Sequence, residues 1–97
     1  MKTAIPTVHL NGSDGNVLQA QNEAALATVE LAIEQLAAAA PHGRDYYVQG
    51  DVDRPYAVAA AQHAARLKAL SEVRDGLREV VRGVRRQNEA RSAQKGR

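Results

Sequence analysis

Between Asp14 and Ala40 apolar side chains return every three or four positions. Leu26, Val29, Ile33, Leu36 and Ala40, with Ala25, Ala32 and Ala39 between them, fall on positions a, d and e of one heptad frame. That spacing predicts an amphipathic helix over about 14–40 with a continuous apolar stripe, from which Leu31 is left out. Ser13, Asp14 or Asn16 can cap its start, and Pro41 ends it. A second frame follows: His63, Leu70, Leu77 and Val84 recur every seven residues, with Leu67, Val73, Val80 and Val81 filling the three- and four-residue steps. It predicts a helix over about 55–90, with Pro55 in the first turn and Asp53 as its cap. Gly76 and Gly83 interrupt this helix, each at a cost of about 1 kcal/mol. The two rods would be about 40 and 50 Å long.

The pattern differs at the flanks. Val8 and Leu10 alternate with Thr7, His9 and Asn11, the period of a short strand, and Pro6 suits an edge position. Asn11-Gly12 closes the run, but no second alternating run follows it. The strand therefore needs Tyr46-Tyr47-Val48, another copy or another protein as its partner. Residues 41–54 form a turn-rich connector. The expected organisation is an N-terminal β arm over 1–12, a helical hairpin over 13–92 and a basic flexible tail over 93–97.

Charge favours folding the two helices back on each other. Residues 14–40 carry Asp14, Glu23, Glu30 and Glu34 with no Lys or Arg, whereas residues 55–92 carry eight basic and four acidic side chains. The fold class expected is mainly α: an antiparallel two-helix hairpin, coiled-coil-like, with a short N-terminal β arm. Composition limits how well such a hairpin can hold together. Among 97 residues there are 19 Ala and neither Phe nor Trp, so the core is thin. Two layers of slim aliphatic side chains are marginal alone, which makes an oligomeric or partner-docked state the expectation.

Little of the chain points to chemistry. Without Cys there is no disulfide, thiolate zinc site or thiol nucleophile. His9, His42 and His63 lack the i, i+4 spacing that presents two ligands to one metal. His63, on the apolar stripe, is expected to bond a Tyr or backbone group. Asp51 and Asp53 lack the rest of a calcium loop. A hairpin encloses no substrate, so no catalytic residue, cofactor, metal or small-molecule substrate is expected, and the chain reads as a non-enzyme. Its strongest chemical signal is the ridge of Arg74, Arg78, Arg82 and Arg86, joined by Arg85. Glu72, Asp75 and Glu79 can neutralise that ridge as a solvated face. The alternative is a nucleic-acid-binding surface made of Arg78, Arg82, Arg85 and Arg86. No apolar run is long enough for a secretion signal or a membrane span, so no membrane partner is expected. The favoured reading is an interaction protein acting by self-association or docking, with Val8, Leu10, Tyr46 and Tyr47 as contact residues.

Three segments carry a resemblance. Ile5-Pro6-Thr7-Val8-His9-Leu10-Asn11-Gly12-Ser13, Pro41-His42-Gly43-Arg44-Asp45-Tyr46-Tyr47, and Ala60 to Val73 with its His63, Arg66, Leu67 and Leu70 spacing resemble small uncharacterised proteins encoded in tailed-phage and prophage genomes. The likeness covers most of residues 5–80 and brings no activity or catalytic residue. It implies a setting: a phage gene product in the host bacterial cytoplasm, a minor virion or assembly component whose partner is itself or another phage protein.

Overall fold

The computed structural model describes residues 2–9, 14–49 and 53–95, the side chains of 47–49, 53 and 95 excepted. Helix α1 spans Gly15–Ala38, a 3-10 helix spans Gly43–Gln49, and helix α2 spans Asp53–Lys95. Asp14 is the cap that α1 uses: its carboxylate accepts from the Asn16 and Val17 N–H groups at 2.8 and 3.4 Å. The helix ends at Ala38, three residues before Pro41, whose ring keeps Ala40 out of helical conformation.

The two helices run antiparallel. Arg78 reaches Glu30 at 3.0 Å and Arg85 reaches Glu23 at 2.8 Å, so seven residues back along α1 are seven residues forward along α2. The half-buried residues of α1 include Gln19, Asn22, Leu26, Val29, Ile33 and Leu36, in alternating steps of three and four. On α2 the matching series is His63, Leu67, Leu70, Arg74, Leu77, Val81, Val84 and Asn88, the register of a left-handed coiled coil. The stripe on α1 is narrower than expected, because Ala25, Ala32, Ala39 and Ala40 are exposed. One facing helix covers a seam, not a wide face.

Three further expectations are corrected. Residues 2–9 form no strand: the arm is extended and lies along α2 instead of joining a sheet. Tyr46-Tyr47-Val48 is 3-10 helix and offers no ladder. Its turn is set up by His42, whose carbonyl accepts from the Asp45 N–H at 3.0 Å and whose Nδ1 accepts from the Arg44 N–H at 3.1 Å. Finally, α2 continues to Lys95, through most of the segment expected to be a loose tail, since Ala93, Gln94 and Lys95 propagate a helix well. With 43 residues α2 is about 65 Å long against about 36 Å for α1, so its N-terminal third runs past the end of α1 and meets the 3-10 segment.

Candidate interaction surface

Gln87 clamps the backbone of the arm. Gln87 accepts from the Val8 N–H through Oε1 at 2.7 Å and donates to the Pro6 carbonyl through Nε2 at 2.8 Å. Residues 6 and 8 are the pair that one neighbouring residue would engage in a ladder, so the Gln87 amide takes the place of a missing strand. One glycine of α2 makes room for the arm, and a second lies under it without being needed for space. A methyl on Gly83 would stand 2.5 Å from the Cγ2 atom of Ile5, and Gly76 faces the Thr3 hydroxyl at 3.8 Å. Spaced seven apart, they lie on one line of α2 under the extended chain, and at Gly83 what reads in the sequence as a helix interruption is a seat for Ile5.

Where arm, α1 and α2 converge, Asn88 donates to the Gly15 carbonyl and to Gln19 Oε1, both at 2.9 Å. A methyl on Gly15 would collide with the Asn88 amide, and Val8 packs beside it. Gln19 passes the network on to Glu23 at 3.0 Å, where Arg85 joins. The hydrogen bond from Arg85, aided by the one from Gln19, holds the Glu23 carboxyl below its usual pKa. This polar network ties the arm-proximal end of α1 to α2 at one register.

Of the expected contact residues, Val8 is half-buried and engaged within the chain. Tyr46 is half-buried with its ring 6.4 Å from that of Tyr56. Leu10 and the Tyr47 side chain lie outside the described residues. The arginine ridge is divided: Arg78 and Arg85 bond Glu30 and Glu23 across the hairpin, Arg74 bonds Asp75 at 3.1 Å, and Arg82 and Arg86 are exposed. Two of the four arginines proposed for phosphate contact are thus spent on the fold. His63 is 9% exposed, and among the described residues its Nε2 meets no hydrogen-bond partner; the Tyr47 side chain lies outside the described residues.

What the fold leaves bare is more telling. Val81 and Val84 are the buried apolar residues among those described, and α1 buries none. Val17, Leu31, Val58 and Val73 are about half exposed. The side of α1 turned from α2 carries Val17, Ala20, Gln21, Ala24, Ala27, Thr28, Leu31, Gln35 and Ala38, with Glu34 as its one charge. A helix face meant for water ordinarily carries a quarter or more of charged side chains. Among the described helices none is long and apolar enough to cross a membrane, so a bilayer-spanning role does not account for this face. No protein-family model, curated protein or solved structure matches the chain.

Proposed function

We propose that this chain is a non-enzymatic interaction protein, an accessory of phage or prophage assembly, that acts by presenting the outer face of α1 to a protein surface. The observation that carries the reading is the state of α1: 24 residues, none of them buried, and an outer side almost free of charge. Apolar area contributes about 25 cal/mol per Å² when it leaves water, and the hairpin uses only one side of this helix for that. A partner on the other side supplies the missing layer. The sequence segments resembling small phage and prophage proteins suggest the setting, a host cytoplasm or a particle assembled there.

A photo-crosslinking residue placed at position 31 tests the reading in cells that make the protein. Adducts of discrete mass are expected from position 31 and not from position 89 on the far side of α2. Position 31 giving no adduct would overturn the proposal.

The second reading, binding to nucleic acid, retains Arg82 and Arg86 as exposed cations flanking the arm. Phosphate binding through them would weaken steeply with salt, and replacing both with Gln would remove that dependence. Measured at two salt concentrations, an affinity for duplex DNA that these substitutions leave unchanged argues against it.

A further inference from the structure

We infer that the occupant of the outer face of α1 is a second copy of the same helix, antiparallel across a two-fold axis that passes between Ala27 and Thr28. This rests on the interaction reading above and adds the identity of the partner.

The chain's surface is the first argument. It exposes 7338 Å², whereas a compact protein of 10.4 kDa exposes about 5,400 Å². The excess, about 1,900 Å², is more than twice the roughly 800 Å² per partner that a standard interface removes. A radius of gyration of 20.2 Å, against about 12.5 Å for a compact chain of this length, places that excess along a rod 71 Å long. Pairing rods side by side removes it most directly.

The second argument is shape. Val17, Ala20, Ala24, Ala27, Leu31, Glu34 and Ala38 follow one another in alternating steps of three and four, a second coiled-coil seam on the side of α1 opposite the one filled by α2. Its two large residues, Val17 at 48% and Leu31 at 53% exposed, are separated by small ones. An antiparallel copy centred between residues 27 and 28 sets Leu31 over Ala24 of the second copy and Val17 over its Ala38. Each large side chain then meets a small one, twice over by symmetry. Among registers related by whole heptads, shifting the copy by seven residues one way stacks Leu31 on itself and the other way faces it with Val17, so the large-on-small match favours this one of the three.

Charge agrees with the same register. Glu34 falls beside Gln21 of the second copy, an amide that can donate to it, and the two Glu34 carboxylates stand about 20 Å apart along the pair. Helix dipoles oppose, as they do in the hairpin itself. The resulting layer reads α2, α1, α1, α2, with both seams of α1 filled.

The native chain contains no Cys, so engineered thiols report contacts without background. Ala24→Cys and Leu31→Cys proteins are purified, mixed and oxidised, and sedimentation is measured on the wild type over a range of concentrations. A dimer mass is expected for the wild type, with the 24–31 disulfide forming in preference to 24–24 or 31–31. Leu31→Lys, at a position half open to solvent, should keep its helicity by circular dichroism and weaken the dimer roughly a hundredfold, because both copies lose the contact. A monomer mass at every concentration overturns this inference and leaves docking on a different protein standing. A dimer that favours 24–24 or 31–31 disulfides overturns the register and the axis.

Discussion

At the residue scale two glycines that look alike in the sequence do different things. Gly76 has only the Thr3 hydroxyl nearby, at a distance a methyl tolerates, while Gly83 has Ile5 pressed against the position its Cβ would take. Gly76→Ala should therefore raise stability by about 0.5–1 kcal/mol, the ordinary gain of removing a helix-interior glycine. Gly83→Ala carries the same helical gain but must push Ile5 off its seat. Thermal unfolding of the two variants, followed with exchange of the Val8 amide, should show a higher midpoint for the first and an unprotected arm for the second. Equal behaviour would remove the idea of a glycine seat. Gln87→Leu tests the clamp from the other side. Losing both bonds to the arm should speed exchange at Val8 about tenfold while α1 and α2 stay helical. None of this could be read in the sequence, where a glycine in a helix signals a cost and a glutamine signals nothing, because the benefit belongs to a segment some eighty residues away. His63 is the contrary case. Its heptad position announced burial, and it is buried.

At the element scale the two helices were legible because their cause is local: a 3-4 repeat of apolar residues, few breakers, a capping Asp and a terminating Pro. The antiparallel pairing was legible too, since an acidic helix and a basic one leave little choice of partner. The arm was not. Alternation in Thr7-Val8-His9 is equally compatible with a strand and with an extended chain laid on a helix, and a side-chain amide replacing the ladder leaves no periodic trace. The interhelical ion pairs fix orientation more than they stabilise, as half-exposed pairs do. Their pH dependence follows from Glu23. Its carboxyl is held below the usual pKa, chiefly by Arg85, so folding favours the charged form. The contribution is fully present above the ordinary carboxylate range and is lost as pH falls through the lowered value, from about pH 5 downward. Wild type and Glu23→Gln should accordingly differ in stability at pH 7 and converge once the pH has fallen below that lowered pKa. A gap that persists in acid would assign the effect to something other than this carboxylate.

At the scale of the whole molecule the hairpin has a thin interior. Native stability is a small surplus over a large conformational entropy, and a chain of 97 residues whose buried apolar side chains among those described are Val81 and Val84 gathers little surplus from its own contacts. Composition foretold this, since nineteen alanines and no Phe or Trp cannot fill a wide core. That Leu31 falls off the stripe was legible in the repeat itself; that Ala25, Ala32 and Ala39 are bare as well was not, because it depends on how wide a seam one facing helix covers. If the missing layer is a second chain, folding and association are one equilibrium and obey mass action. With an unfolding enthalpy of about 65 kcal/mol per chain, scaled from the usual per-residue value, each tenfold rise in protein concentration should then lift the thermal midpoint by about 4 °C. Calorimetry across two decades of concentration measures this directly. A midpoint that does not move would mean that the hairpin's thin seam, its arm and its connector suffice to hold one chain folded, and that the bare side of α1 is not a structural requirement of the fold.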